Sequence, residues 1–421
     1  MSELSFLPAD LQSRLAEIGE VDILIGVPSY NNARTIGHVV RAIQAGLAKH
    51  FPELRAVVIN SDGGSTDGTA DVFAGAAISD YATILARHPL RGVHRVITPY
   101  HGIPGKGSAL RTVFGAAVAT NARACAVVDS DLRSITPEWI ELLISPLLAG
   151  AFDFVAPLYR RHKYDGTITN SIVYPLTRAL YGQRIRQPIG GDFGFSGALA
   201  REYLRHDVWS SDVARFGIDI WMTTTAVTGG FKICQSFLGA KIHDVKDPGV
   251  DLSAMLMQVV SAVFSLMQSH EKTWQPISES RAVPLFGFDY TVGLEPIHVN
   301  VDRMIGIFES GVRDLEQIWQ KVLHPDTLNA VRSLGRQSHD SFRFAPEHWV
   351  RVVYDFAVAH RRGVINRDHL LRSLTPLYLG RTASFVLQTA DADADQVEAI
   401  LEDLCVEYER LKPYVVERWN S

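Results

Sequence analysis

Two carboxylates separated by one small residue follow a short apolar run in the segment AVVDSDLRSIT, residues 126–136. The apolar run predicts a buried strand, and at its frayed end Asp129 and Asp131 can both turn toward one ligand. Because a buried carboxylate without a partner is costly, we expect positive charge beside them. Carboxylate oxygens suit Mg²⁺ or Mn²⁺, with phosphate oxygens completing the coordination. The tripeptide alone equally fits a turn that caps the next helix.

Other polar loops follow the apolar runs upstream of this pair. PSYNN, residues 28–32, offers backbone N–H groups and side-chain amides to a base or a ribose. SDGGSTDGT, residues 61–69, carries two aspartates among glycines, and taken alone it indicates a tight turn with a helix N-cap. PGKGSALR, residues 104–111, places Lys106 at a predicted helix start, where a cation and free N–H groups can meet a phosphate. Its spacing is that of neither a P-loop nor a Rossmann fingerprint.

The elements that must position these loops alternate along residues 22–130. Short apolar runs predict strands and amphipathic segments predict helices, a pattern typical of a parallel sheet covered on both faces. In such sheets ligands collect outside the carboxyl ends of the strands, where all of these loops lie. Farther on, residues 190–204 predict a glycine-rich turn into a helix, and residues 232–245 predict a strand. From residue 251 onward we expect mostly helix, including a single one over 301–323.

Composition excludes several classes of protein. The 421 residues carry a net charge of −5 and no basic block, which argues against nucleic-acid binding. Three widely spaced cysteines fit a reducing cytoplasm and favour neither a disulfide framework nor a cysteine zinc site. The most apolar stretch, residues 252–267, is too short and too often interrupted by polar residues to span a bilayer. We therefore expect a cytoplasmic protein without stable membrane insertion.

Four segments resemble a known group of enzymes. VPSYNNARTIGHVV, SDGGSTDGT, GKGSALR and VVDSDL occur in the order and spacing of nucleotide-sugar-dependent glycosyltransferases. The resemblance implies the GT-A fold, a Rossmann-like α/β fold with a mainly parallel sheet flanked by helices, here followed by a mostly helical C-terminal extension. It also implies a UDP- or GDP-hexose donor and a divalent metal, Mg²⁺ or Mn²⁺. The residues that it assigns to the nucleotide sugar are Pro28, Tyr30, Asn32, Asp62, Lys106 and Asp129.

The second half of the chain resembles one retaining branch of that group. PLYRR, GTIT, QPIGGDFG, FGIDIWM and KIHDVKDP are similar to enzymes that make glucosyl-3-phosphoglycerate, mannosyl-3-phosphoglycerate and their unphosphorylated relatives. The resemblance implies that Asp219 faces the sugar and that His243 joins Asp131 on the metal. Asp192 is either a turn residue or a carboxylate that binds sugar hydroxyls. With Lys106 stabilising the diphosphate, the catalytic residues expected are Asp131, Asp219 and Lys106.

The acceptor implied by this resemblance is glycerate, 3-phosphoglycerate or a similar small acid. Gly166, Thr167 and Thr169 would bind it, together with Arg160. Thr167 stands where an arginine is expected, and a threonine lacks the bidentate fork that suits a phosphate. This favours unphosphorylated glycerate, although Arg160, Arg161 and Lys163 could supply the missing charge.

We expect an N-terminal helix within residues 1–20, a catalytic domain over 21–250 and a helical region over 251–421. Within the catalytic domain, the nucleotide-sugar half would span 21–131 and the acceptor half 132–250. The C-terminal helices suggest subunit contacts in a homo-oligomer. Two alternatives stay open: an inverting GT-A transferase acting on a polyprenyl phosphate or polysaccharide, and a non-catalytic nucleotide-sugar-binding protein.

Overall fold

The computed structural model describes residues 4–76, 94–99, 105–215, 217–242, 253–288, 297 and 299–421. Within these residues the chain forms two compact units, each assembled from separate stretches of sequence. The stretches of unit 1 are Met1–Arg160, Ile189–Asp244 and Val283–Leu294. Those of unit 2 are Arg161–Pro188, Val245–Ala282 and Glu295–Ser421.

Strands and helices follow the alternation predicted from the sequence. The strands of the main sheet are β1 (Ile23–Ser29), β2 (Ala56–Asp62), β3 (His94–Pro99), β4 (Ala124–Val127), β5 (Phe154–Arg160), β6 (Phe193–Ser196), β7 (Ile233–Ala240) and β8 (Leu285–Phe286). The helices of the first half are α1 (Ala9–Ile18), α2 (Ile36–His50), α3 (Thr69–Gly75), α4 (Lys106–Ala119), α5 (Pro137–Leu148), α6 (Tyr174–Tyr181), α7 (Gly197–Arg205) and α8 (Ile218–Thr228). Those of the second half are α9 (Ser253–Ser269), α10 (Glu271–Trp274), α11 (Val301–Asp314), α12 (Glu316–Val322), α13 (Pro325–Leu334), α14 (Pro346–Arg362), α15 (Arg367–Gln388), α16 (Ala394–Arg410) and α17 (Lys412–Asn420).

Unit 1 is built around a sheet that, in the described residues, has eight strands in the order β8-β7-β5-β6-β4-β1-β2-β3. Neighbouring strands are parallel except β6, which runs antiparallel to both β4 and β5. The α/β fold class with a mainly parallel sheet and a helical C-terminal region is thereby confirmed. Because β1, β2 and β4 are parallel, the loops that follow them emerge at one edge of the sheet.

Strand β6 is the main departure from the predicted order of elements in unit 1. Its four residues lie in the segment that was expected to be a glycine-rich turn. Phe193 and Phe195 are fully buried, and their rings pack against Phe154 and Phe114 at centroid distances of 5.3 Å. The alternation of glycine and phenylalanine over so few residues hides a strand that tertiary packing stabilises.

Helices α2 and α5 cover one face of the sheet. The buried residues of α2 recur at helical spacing, and Ile36, Val39 and Ile43 pack with Ile25 and other apolar residues of the strands. Each such side chain contributes about 1.5–3 kcal/mol on burial. This shared core keeps the carboxyl ends of the strands, and hence the polar loops, at fixed positions.

Unit 2 is mainly helical, with a two-residue strand pair, Gln183–Arg184 beside Arg281–Ala282, and a π-helical segment, Thr169–Val173. The single helix predicted over 301–323 is wrong: α11 ends at Asp314 and α12 begins at Glu316. The apolar periodicity continues through Leu315, so the sequence pattern does not reveal the break. Within the described part of the chain, no helix is both long enough and apolar enough to cross a membrane.

The two units divide the chain differently from the predicted boundary at residue 250. Residues 161–188 belong to the helical unit, because α6 packs on α16 and the buried Arg178 pairs with Glu402 at 2.5 Å and with Glu409 at 2.8 Å. Residues 283–288 return to unit 1, where β8 extends the sheet beside β7.

Candidate active site

The loops after β1 and β2 hold each other at the carboxyl edge of the sheet. The Asn31 N–H donates to Ser65 Oγ at 2.8 Å, and the Thr66 N–H donates to Asn31 Oδ1 at 2.9 Å. Pro28 is buried within β1, whereas the Tyr30 side chain is 63% exposed. The two loops therefore form one joined rim, with an exposed aromatic ring on it.

Asp62, the last residue of β2, accepts the hydrogen bonds that hold the second loop in place. Among the described residues, its carboxylate accepts hydrogen bonds from the Ser29 hydroxyl at 2.9 Å, the Ser65 hydroxyl at 2.6 Å, and the N–H groups of Gly64 and Ser65 at 3.0 and 2.8 Å. A carboxylate has about four acceptor positions. These contacts occupy them, so Asp62 fixes the second loop against the end of β1.

The turn formed by residues 129–131, called the DSD turn, is hydrogen-bonded to the first loop on one side, and the residues after it are hydrogen-bonded to the chain that follows β7. The Ser130 hydroxyl donates to Asn32 Oδ1 at 2.8 Å, which joins the turn to the first loop. On the other side the Arg133 N–H donates to Ile242 O and the Ile242 N–H donates to Ser134 Oγ, both at 2.9 Å. The chain that leaves β7 therefore runs beside the turn that carries Asp131, whose side chain is half-buried.

Lys106 opens α4 and lies between two carboxylates. Its Nζ is 2.8 Å from Asp129 Oδ1 and 3.2 Å from Asp219 Oδ1, and it also donates to Gly191 O at 3.2 Å. Asp219 stands in the first turn of α8. The fold thus brings together three of the predicted residues that are 23 to 113 positions apart in the sequence.

A second lysine, Lys241, stands on the other side of Asp129. Its side chain is 4% exposed and donates to Asp129 Oδ2, Asp192 Oδ2 and Gly190 O, each at 2.8 Å. Asp192 is fully buried; its Oδ1 accepts the Asp129 N–H at 2.8 Å, and its Oδ2 also accepts the Tyr159 hydroxyl. Asp192 therefore anchors Asp129, while a direct contact with sugar hydroxyls stays a prediction.

Gly191 lies where no larger residue fits. Its φ of 92° falls in the left-handed region that favours glycine. A Cβ at this position would lie 2.2 Å from Asp129 Oδ2 and 3.0 Å from Lys241 Nζ. The absence of a side chain is what lets the Asp129 carboxylate approach the backbone here.

The acidic and basic groups of this cluster shift each other's pKa. Burial alone would raise the pKa of Asp129, but Lys106 and Lys241 outweigh it and hold that pKa far below its ordinary value. Burial would likewise lower the pKa of Lys106, but Asp129 and Asp219 raise it. For Asp219, burial prevails over Lys106 and the pKa is raised. At neutral pH Asp129 is therefore anionic and Lys106 cationic.

The predicted acceptor residues fall in both units. In unit 1, Arg160 ends β5 and its carbonyl accepts the Lys241 N–H at 3.3 Å. In unit 2, Thr167 is buried and its Oγ1 lies 2.5 Å from the Tyr378 hydroxyl oxygen, and Thr169 opens the π-helical segment. Gly166 precedes them with a φ of 69°.

The remaining cations near the acceptor loop have partners inside unit 2. Lys163 donates to the carbonyls of Thr389, Ala390 and Ala392, and Arg161 pairs with Asp165 at 3.5 Å. The expectation that Lys163 supplies charge to a phosphate is therefore not supported, since its ammonium is already bonded to backbone carbonyls.

The residues available for a divalent metal fit in part. His243 lies outside the described residues, although the chain approaches it from Ile242, which is bonded to the DSD turn. Among the residues that the structure does describe, no group of three or more His, Cys, Asp or Glu side chains could hold a metal ion. Of the two predicted ligands the structure describes Asp131, so the metal site of Asp131 and His243 stays a prediction, with a diphosphate expected to supply further ligands.

Comparison with known proteins decides the family. A family model described as "Mannosylglycerate synthase, GT domain" matches residues 39–265, more than half of the chain. This chain belongs to that family. It is a glycosyltransferase, as its loop sequences predicted.

Individual relatives of this glycosyltransferase are distant. A curated protein of Petrotoga mobilis, glucosyl-3-phosphoglycerate synthase, is 24% identical over 273 residues, which cover 62% of this chain and 77% of that protein. A crystal structure of glucosyl-3-phosphoglycerate synthase from Mycobacterium tuberculosis with Mg²⁺ and UDP is 24% identical, covers 61% of this chain and 82% of its own, and has a TM-score of 0.44. A second structure of that enzyme, with Mn²⁺, UDP-glucose and phosphoglyceric acid, is 23% identical, covers 62% and 85%, and also has a TM-score of 0.44.

Lys241, Gly191 and Tyr159 contact the candidate site around Asp129 and Asp192 but were missed in the sequence. A charge count gives a signal that could have found Lys241. Asp129, Asp192 and Asp219 outnumber Lys106, and Lys241 lies within the predicted strand 232–245, two residues before His243. Even with both lysines, the described cluster has three carboxylates to two ammonium groups.

Proposed function

We propose that this glycosyltransferase moves glucose or mannose from a UDP- or GDP-sugar to a hydroxyl of glycerate, 3-phosphoglycerate or a similar small acid, with retention of anomeric configuration. The observation that carries the proposal is the position of Lys106 at the start of α4, 2.8 Å from Asp129 and 3.2 Å from Asp219. A cation at a helix N-terminus on the carboxyl edge of the sheet suits a diphosphate leaving group. The name of the Petrotoga relative supports a phosphoglycerate-like acceptor.

The chain's own residues would divide the work as follows. The joined rim of the first two loops, with Pro28, Tyr30 and Asn32, would receive the base and ribose, and Asp62 would hold the second loop in place for them. Asp129 would serve the nucleotide side of the donor. Lys106 and the N–H groups that open α4 would stabilise the charge that develops on the leaving diphosphate.

A divalent cation, Mg²⁺ or Mn²⁺, would be held by Asp131 and His243 and would act as a Lewis acid on the diphosphate. Asp219 would position the sugar. The pKa of Asp219 is raised by burial. No protein base is needed in a retaining reaction, because a phosphate oxygen of the leaving group can accept the proton of the acceptor hydroxyl. Gly166, Thr167, Thr169 and Arg160 would contact the acceptor.

A donor screen followed by a turnover assay tests the proposal. UDP-, GDP- and ADP-sugars are added with Mg²⁺ or Mn²⁺, and the melting temperature is recorded with and without EDTA. We expect stabilisation by a UDP- or GDP-hexose that requires the metal, and nucleotide release with glycerate or 3-phosphoglycerate on the best donor. Metal-dependent donor binding without transfer to either acid would contradict the proposed acceptor.

A further inference from the structure

Helix α15 is tied to the beginning of the acceptor segment, residues 161–171, which lies with it in unit 2. Lys163 Nζ donates to Thr389 O, to Ala390 O at 2.9 Å and to Ala392 O at 3.2 Å. These carbonyls follow the last turn of α15, where backbone carbonyls lack helical partners and attract cations. The lysine thus fixes the start of the acceptor segment to the end of α15.

The end of the acceptor segment is fixed by α14 and α16. Trp349 Nε1 donates to Ser171 O at 2.8 Å, and the Tyr408 hydroxyl donates to the same oxygen at 3.0 Å. Both aromatic side chains are fully buried. Ser171 belongs to the π-helical segment, a form often found at functional sites.

The middle of the segment contacts α15 through the side chain of Thr167. Thr167 Oγ1 and the Tyr378 hydroxyl oxygen are 2.5 Å apart, and both side chains are nearly inaccessible to solvent. Burial raises the pKa of Tyr378 to about 12, so the phenol keeps its proton at neutral pH. A threonine hydroxyl has one proton to donate and two positions at which to accept. When Tyr378 donates to Thr167, the Thr167 proton is available to another oxygen.

We propose that Tyr378 is a positioning residue for acceptor recognition: it donates to Thr167, and Thr167 donates to an anionic oxygen of the acid acceptor. This inference rests on the proposed function and deepens it. An anionic oxygen is the stronger acceptor for a hydroxyl proton, and chains of such bonds strengthen one another in a buried setting. Tyr378 therefore contributes to the choice of acceptor through Thr167.

Steady-state kinetics of the full-length Tyr378→Phe variant test the inference. Loss of the hydrogen bond from Tyr378 to Thr167 raises the acceptor KM about two- to tenfold, while the donor KM stays within about twofold. Tyr414→Phe is the control in the same unit, since its hydroxyl donates to Asp355 Oδ1 at 2.6 Å and this bond involves none of the residues that hold the acceptor segment in the contacts above. A residue with only a structural role would lower the melting temperature and leave the acceptor KM unchanged.

Substitutions of Thr167 complete the test. Thr167→Ser keeps the hydroxyl and keeps the acceptor KM, whereas Thr167→Val raises it. In the Thr167→Val background, Tyr378→Phe has no further effect on the acceptor KM, because both changes break the same chain of bonds. Additive effects of the two substitutions on the acceptor KM, or an unchanged acceptor KM in Tyr378→Phe, overturn this inference but not the proposed function. Failure of the wild type to transfer sugar to any acid overturns the proposed function as well.

Discussion

Nζ of Lys241 lies 2.8 Å from Oδ2 of Asp129, on the carboxylate oxygen opposite the one that Lys106 contacts. With a lysine on each oxygen, the Asp129 carboxylate is fixed in orientation. Asp131, two residues later, is half-buried on a turn that also contacts the residue before His243. The two carboxylates of the DSD segment thus have different surroundings, in keeping with our proposal that Asp129 serves the nucleotide and Asp131 the metal.

Replacement of Lys241 by methionine should destabilise unit 1. The variant leaves Asp129 and the fully buried Asp192 with less compensating charge, and breaking a buried pair in this way costs about 3–5 kcal/mol. Lys49→Met is the matched control, because Lys49 contacts Glu138 at the same 2.8 Å but its side chain is 57% exposed. Exposed pairs contribute about 0–1 kcal/mol. Urea unfolding of both variants measures the difference, and equal losses would contradict the importance of burial at Lys241.

Alanine at Gly191 should cost more than alanine at another glycine of positive φ. Gly191→Ala adds a Cβ 2.2 Å from Asp129 Oδ2, whereas Gly230, with φ of 71°, has nothing within 4 Å of that position. Gly230→Ala therefore loses about 1–2 kcal/mol of unfolding free energy from backbone strain alone. Gly191→Ala loses about 1–3 kcal/mol more. Chemical denaturation checks both, and turnover should fall only in Gly191→Ala.

Asp219→Asn should stabilise the protein at neutral pH. Burial raises the pKa of Asp219 in the folded state, so the folded form holds this proton above the unfolded pKa near 3.8. The stability this carboxyl contributes is present below that pH and is lost as the pH rises through the raised pKa. Asparagine does not titrate, so the stability difference from wild type should be small in acid and favour the variant at pH 7. A variant less stable than wild type at pH 7 would contradict the direction of the shift.

Asp131→Asn should remove metal-dependent turnover. Loss of the carboxylate removes the proposed protein anion from the cation, so nucleotide release with saturating donor and Mg²⁺ should fall to background. Asp71→Asn, which changes an exposed aspartate on α3, should retain turnover within about twofold of wild type. Metal titrations of both variants provide the measurement. Near-normal turnover in Asp131→Asn would remove that residue from the metal site.

Strong periodic patterns made most of unit 1 predictable. The apolar runs of β1 and β2 and the helical spacing of α2 bury the residues expected, because one core satisfies both local propensity and packing. The loops that follow them were found as polar residues after strands. The strand pattern alone placed the loops of Lys106 and Asp129 at one edge of the sheet, whereas Asp219, 90 positions after Asp129, could be added only through the resemblance to glycosyltransferases.

Features that depend on contacts between distant segments were not visible in the sequence. Strand β6 has four residues and forms because β4 and β5 pair with both of its edges. Lys241 gains its role from Asp129 and Asp192, and Thr167 from Tyr378, which lies 211 positions later. Residues 161–188 join the helical unit through the same kind of contact, which local periodicity does not report.

Product analysis by NMR tests the central claim most directly. Wild-type enzyme is incubated with the stabilising UDP- or GDP-hexose, Mg²⁺, and either glycerate or 3-phosphoglycerate, and the anomeric proton of the product is recorded. We predict a new α-glycoside of the acid that forms only with the metal and is absent with Asp131→Asn. A β-glycoside would indicate an inverting transferase, and no glycoside of either acid with any of these donors would contradict the account.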